Sequence, residues 1–451
     1  MTRSRARPGN RPRARHLVAV AALVTLAVAC SDDDPGDAER EEEPEFTPST
    51  VDFATDDPEA PRGGDDPGIP DDIPEQVHAT SMAPLAMDEV VVVEDHGNTL
   101  VGLAIVDPET GARRATIDSA VNVFSPFVYP LLAPPEEGPD VLAFESWWSR
   151  GPRGPVEFTL SYYGGDLRRV PEVRFPEEAR PYSLPMSASV TDDGAWFGVW
   201  DSLLQGLRLV DVADRSQAGT LELQGCGPAV LPVREAAFAT VCWPTGEVVE
   251  MAVDSDGVRE VGRVAVLPED VPITHEVPLA READRAVVLT TLEEAYILDF
   301  SRGLPDRSPP AHDVLQDGLA LDYSGHAITN DASLLALRYS SGALPSDASR
   351  SQGFGAVVTY QLNGFTEAWR LEADDLDYEP TSMTWAPDGS TLWVLGEGSD
   401  GSVLVGYDSD GAETSRADLE LQGDWSTGFT TVVAPIGLPV EEEGGSGGGP
   451  Q

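Results

Sequence analysis

The tetrad Asp-Ser-Asp-Gly occurs twice, at 254–257 and 408–411, and its alternating carboxylates are the first feature of this sequence with metal-binding character. Alternate acids followed by glycine open a calcium loop, but such a loop also needs an oxygen ligand at its fifth position and a glutamate at its twelfth. Counted from Asp254 those places hold Val258 and Ala265, and counted from Asp408 they hold Ala412 and Leu419. The ligand set is incomplete. Both tetrads read instead as hairpin turns, in which Asp and Gly tolerate the backbone angles that a tight reversal demands.

Other chemistry is sparse. The one Gly-X-Ser-X-Gly run lies at 444–448, inside a low-complexity tail where no strand or helix can build a nucleophile elbow. His-Glu-X-X-His and the haem-attachment run Cys-X-X-Cys-His are absent. His275 with Glu276 in "ITHEVPLA", and His326 in "SGHAITND", are the candidates for an acid/base or metal site. The bland alternative is that each histidine satisfies a local backbone bond. Trp147 and Trp148 in "ESWWSRGP" form a candidate aromatic platform for a carbohydrate or a protein partner, against the alternative that one ring packs between structural layers.

The elements that would position these residues are short. Between 76 and 438, apolar runs rich in Val, Leu, Thr, Tyr and Trp alternate with Gly, Asp, Asn and Pro, and no segment has a convincing amphipathic helical period. Strand, polar turn, strand recurs with turn residues at Asp107, Gly165, Asp211, Asp254, Asp299, Asn363 and Asp408. Four of the six gaps are 43 to 46 residues, and the two longer ones contain the insertions "APPEEGPD" with "SWWSRGPRGP", and "SSGALPSDASRSQGFG". That period predicts the four-stranded blade of a β-propeller, with seven blades in all. A second hairpin signature lies upstream of several anchors, in "ASVTDDGAWFGVW", "PLAREADRAVVLT", "AITNDASLLALRY" and "MTWAPDGSTLWVLG". It reads as the innermost hairpin of a blade. Residues 427–438 remain after the last blade to close the ring, although "QVHATSMA" competes for that place.

"WAPDGSTLWV" resembles the Trp-Ser-Pro-Asp-Gly segment of Tol-type and related bacterial propellers, of the broader tryptophan-aspartate-repeat-like kind. The likeness covers most of 76–438 as architecture, but only this hairpin is motif-like. Sites in propellers gather around the axial channel where inner strands begin. His275, Glu276 and His326 are read as falling early in two successive inner strands, an arrangement similar to lactonase-like propellers with an axial metal. Trp196, Trp200, Trp385 and Trp393 have the spacing of strand residues and are expected between blades.

The chain begins with six arginines and the apolar run "LVAVAALVTLAVA", which at about 13 residues is too short for a spanning helix and reads as a cleaved export signal over 1–29. "LAVAC" resembles the lipobox of bacterial lipoproteins, which implies lipid on Cys30 and attachment to the extracytoplasmic face of the membrane. The arginines are scattered and do not form the pair of a twin-arginine signal. Residues 30–75, with eighteen acids, two arginines and many prolines, are expected to be a disordered, self-repelling tether; 439–451 reads as a flexible tail.

All 78 acids follow residue 29 and only 23 of the arginines do, so the exported chain carries a net −55, of which about −36 belongs to 76–438. Nucleic acid is excluded as a partner, because phosphate neutralisation needs basic patches. There is no lysine, and the acidity is ascribed to salt adaptation or solubility, with surface binding of a divalent cation as the alternative. No other cofactor is expected. With Cys30 lipidated, Cys226 and Cys242 remain, and export to an oxidising compartment predicts a disulfide between them. Cys226 is read as beginning an inner strand and Cys242 as ending the next, so that an antiparallel hairpin brings them together. Closing that loop would stabilise the fold by ~3 kcal/mol.

Three readings follow: a binding or scaffold module at the cell envelope, with an unidentified protein or carbohydrate ligand, which the lack of a catalytic constellation favours; a propeller enzyme, either a lactonase-like hydrolase or a lyase using an axial metal; and a module serving envelope assembly or signalling with one dedicated protein partner.

Overall fold

The computed structural model describes residues 85–95, 101–119, 128–132, 141–164, 171–182, 185–234, 236–269, 277–306, 308–341, 353–399, 401–419 and 431–437. These lie in the compact unit Gln76–Gln451. The segments read as signal, tether and tail fall outside the described residues.

Middle strands are buried along most of their length and outer strands are not, and this difference dictates the architecture. Ala237–Cys242 is buried at every residue, whereas Ser216–Glu222 and Gly257–Ala265 are mostly exposed or half-buried. A strand covered on both faces must lie between two other sheets, and one that alternates must border solvent. Seven four-stranded sheets satisfy this as the blades of a propeller. Seven clusters of buried side chains join each blade to the next, and the last of them, with Val90, Val92, Trp393 and Leu404, joins blade 7 to blade 1. Trp200, Trp385 and Trp393 are buried in these clusters, and Trp196 packs half-buried against one.

Blade 1 takes its inner strand from the C-terminal end. Thr431–Val433 pairs antiparallel with Val90–Asp95, which continues to Val101–Val106 and Arg113–Ser119. Ile436–Gly437 then adds in parallel to Val128–Leu132 of blade 2. Closure therefore falls to the C-terminal segment; "QVHATSMA" lies outside the described residues. In blade 2 the long element Val141–Tyr163 fills the second and third positions, since Tyr163 Oη donates to Glu145 Oε1 at 2.9 Å and the Trp147 indole N–H to Thr159 Oγ1 at 3.1 Å.

Every described anchor sits at the turn between the third and fourth strands of its blade; Gly165 lies outside the described residues. Asp254 Oδ1 accepts the Asp256 N–H at 2.9 Å, and Asp408 Oδ1 accepts those of Asp410 and Ala412, each at 2.9 Å. Gly257 and Gly411 take φ of +112° and +84°, where a side chain would be strained. The recurring tetrad is thus a turn-capping device.

Cys226 and Cys242 form the expected disulfide. The reading that Cys226 begins an inner strand is corrected: it lies in the connection before Leu231–Pro232, its N–H bonded to Leu223 O at 3.1 Å, while Cys242 ends Ala237–Cys242. Pro228 and Pro232 limit ladder bonding here, which leaves the inner strand only two residues long.

Apart from the parallel Ile436–Gly437 in blade 2, strands alternate in direction within each blade, so the fold has two faces. First-to-second and third-to-fourth turns share the hairpin face. Second-to-third turns and the interblade connections share the opposite, connection face.

Candidate functional site

The inner hairpins are built alike. In blade 3, Thr191 Oγ1 donates to Asp193 at 2.5 Å and accepts the Trp196 N–H at 3.0 Å; in blade 6, Thr329 repeats this with Asp331 at 2.7 Å and Leu334 at 3.0 Å. In blade 7, Asp388 Oδ1 caps Ser390 at 2.9 Å. These side chains mimic backbone partners and fix each reversal.

With the turns rigid, polar groups bond from blade to blade. Arg281, next after inner strand Leu279–Ala280 of blade 5, reaches inner strand Ala188–Val190 of blade 3 and the turn beyond it. It donates to Val190 O at 3.0 Å, Asp192 Oδ1 at 2.9 Å and Ser189 Oγ at 3.0 Å. Asp284 Oδ1 accepts the Arg234 N–H at 2.7 Å, and the Ala283 N–H donates to Asn330 O at 3.0 Å. Asn330 Nδ2 donates to Pro387 O at 2.9 Å, and Thr384 Oγ1 accepts the Ala434 N–H at 3.3 Å.

Inside this network is a cavity of about 220 Å³, bounded by the inner strands of blades 5 to 7 and the closing segment. Leu279, Arg281, His326, Ile328, Thr384 and Ile436 are on its wall. Burial pushes the Asp192 carboxyl above its usual range; Arg281 pulls it back in part, while Asp284 and Asp193 add to the rise. Burial likewise raises the Tyr129 hydroxyl, which donates to Ala188 O at 2.7 Å. Both groups hold inner strands in place. A second, open hollow of about 640 Å³ lies between blades 4 and 5, where an Arg234–Glu250 ion pair occupies the wall.

His326 lies on the cavity wall, but near the end of Leu319–Ile328 and opposite Leu337, which corrects its expected place early in an inner strand. A register shift between Leu321 and His326 lengthens the strand ahead of it. His275 and Glu276 lie outside the described residues. Trp147 is 38% exposed in blade 2, and the Trp148 side chain lies outside the described residues. Among the described residues no group of three or more His, Cys, Asp or Glu is placed to hold a metal ion. Arg281, Asp192 and Asn330 escaped the sequence reading, although each lies in one of the quoted inner-hairpin segments.

No protein-family model and no curated protein matches this sequence. Among solved structures, the chain is similar to a proposed 6-phosphogluconolactonase from Bacteroides uniformis, at 11% identity and a TM-score of 0.48 over 74% of this chain and 98% of that one. It is also similar to a protein of unknown function from Desulfotomaculum acetoxidans, at 10% identity and a TM-score of 0.45 over 77% and 99% of the two chains. Likeness at this level carries no inference about activity, and the propeller rests on its own strand order.

Proposed function

We propose that this chain is an exported lipoprotein whose lipid on Cys30 holds a seven-bladed propeller at the extracytoplasmic face of the membrane, as a binding and scaffold module. The observation that supports it is the state of the axial wall. Arg281, Asn330 and Thr384 are each hydrogen-bonded to another part of the ring, so these three polar groups of the cavity wall are fixed in place. Rigid walls with committed donors suit recognition by shape, which needs pre-organisation and no proton transfer. Among the described residues no helix is long and apolar enough to cross a membrane; the lipid attachment rests on the lipobox-like run ending at Cys30.

Expressed as the full chain in a bacterium, the protein should fractionate with membranes and take up a clickable fatty acid. Cys30→Ser should lose both label and membrane association. A labelled Cys30→Ser variant would sink the lipid assignment.

The enzyme reading, a lactonase-like hydrolase or lyase with an axial metal, keeps one observation in its favour: His326 shares the cavity wall with Arg281. Thermal midpoints at fixed high ionic strength separate the two. Millimolar calcium or magnesium should leave the midpoint unchanged, because screening is already saturated. A concentration-dependent, saturable rise would reveal a specific cation and transfer the assignment to the enzyme.

A further inference from the structure

Eight large apolar side chains are exposed among the described residues, and six of them fall on one face of the ring. Trp147, Leu203, Trp243 and Leu292 belong to the second-to-third strand hairpins of blades 2, 3, 4 and 5, consecutively around the ring. Tyr182 and Leu315 lie in the connections from blade 2 to 3 and from blade 5 to 6. Of the remaining two, Met87 precedes the second strand of blade 1 on the hairpin face, and Val261 is on an outer strand. Singly exposed apolar residues need no explanation, but six on one arc do.

The framework holds them out. Asp201 Oδ1 accepts the N–H groups of Leu203 and Leu204 at 2.9 and 3.1 Å and fixes the first turn. The Cys226–Cys242 disulfide ties the residue before Trp243 to the neighbouring connection. The Glu293 N–H donates to Thr290 O at 3.0 Å and closes the turn that carries Leu292. Trp243 borders a small crevice with Leu267, Pro268 and Tyr296, which makes the surface around it apolar. Exposed groups already fixed lose little freedom on docking.

Charge specifies what docks. The described connections on this face carry Glu177, Glu178, Glu269, Asp317, Asp374 and Asp375, all exposed, against one arginine, Arg180. The Arg180 guanidinium is donated to Glu177 O and Ala179 O at 2.8 and 2.6 Å. Arg150 and Arg153 fall in the blade 2 hairpin, so the acidic arc is that of blades 3 to 6. A second copy would bring the same net charge, about −36 over 76–438, against this face, and an anionic bilayer would be repelled in the same way.

We propose that the connection face, from Trp147 to Leu315, docks a partner protein that presents apolar side chains among lysines and arginines. The proposal rests on the binding reading above and names its partner class.

The full chain carrying Cys30→Ser is titrated, by its tryptophan emission, with a synthetic amphipathic Leu/Lys helix and with a Leu/Glu twin. The Leu/Lys peptide should bind at 0.15 M salt and the twin should not. The triple variant Leu203→Ser/Trp243→Ser/Leu292→Ser, followed by the peptide's own label, should weaken binding at least tenfold, whereas Val261→Ser should leave it unchanged. Unchanged affinity in the triple variant would overturn the proposal, because charge alone would then explain binding. Equal binding of both peptides would overturn the partner's charge. A dimer in sedimentation that the triple variant dissolves, or binding to phosphatidylglycerol vesicles, would reassign the face to self-association or to lipid. None of these outcomes depends on fatty-acid labelling of Cys30, so the two readings fail separately.

Discussion

Ending the chain at Thr430 is expected to leave no cooperatively folded propeller. The deletion removes Thr431–Val433, the inner strand of blade 1, and Ile436–Gly437, which lies against blade 2. Val432 is buried, and so are Val91, Val92 and Val93, the residues with which this strand pairs. Two further ties to blade 7 disappear: Val432 N–H to Ser382 Oγ at 3.2 Å, and Ala434 N–H to Thr384 Oγ1 at 3.3 Å. Exposing three or four valines at about 1.5–3 kcal/mol each is comparable to the ~5–15 kcal/mol by which a whole domain is stable. Loss of the sharp thermal transition, followed by near-ultraviolet circular dichroism, is the expected result. Val432→Ser, which keeps the strand pairing, should still fold but melt earlier. A truncated chain that melts within a few degrees of the full one would show that the ring closes without this strand.

Architecture was legible because it repeats. In four of the blades an aspartate at the third turn accepts a backbone N–H two residues on, so Asp107, Asp254, Asp299 and Asp408 mark the period in the sequence itself. The disulfide was legible from the cysteine count together with the expectation of export. Other features depend on distance through the fold, which leaves no local pattern. Arg281 and Asp192 are 89 residues apart and meet only because the ring brings blades 3 and 5 to one cavity. His326 was placed at the wrong end of its strand because the register shift between Leu321 and His326 has no marker in "LDYSGHAITN". Trp243 drew no notice beside the Trp147–Trp148 pair, since a single tryptophan after a cysteine reads as core until the turn that exposes it is seen.

Asp201→Ala should cost about 3–5 kcal/mol, the loss typical of leaving one member of a buried ion pair behind. Asp201 is fully buried at the end of Trp196–Asp201, and its carboxylate has several partners at once. Arg208 Nε donates to Oδ2 at 2.5 Å, the Arg180 N–H to the same oxygen at 3.2 Å, and the Leu203 and Leu204 N–H groups to Oδ1. Alanine would strand a guanidinium that is only 12% exposed, together with three backbone donors. Burial by itself would raise the Asp201 pKa, but the Arg208 hydrogen bond, followed by those from Leu204 and Arg180, holds it below the ordinary carboxylate range. A depressed pKa in the folded state means that this stabilisation is complete above the unfolded value of about 3.9 and is lost as pH falls through the lower folded value. The gap in urea midpoint between wild type and Asp201→Ala should therefore be full at pH 7 and narrow below pH 4, whatever the other acids contribute to both proteins. Asp201→Ala/Arg208→Leu should cost less than Asp201→Ala alone, because no unpaired charge is left buried. A gap that does not change with pH would mean that Asp201 acts through its shape and turn bonds, and that the charge on its carboxylate is incidental.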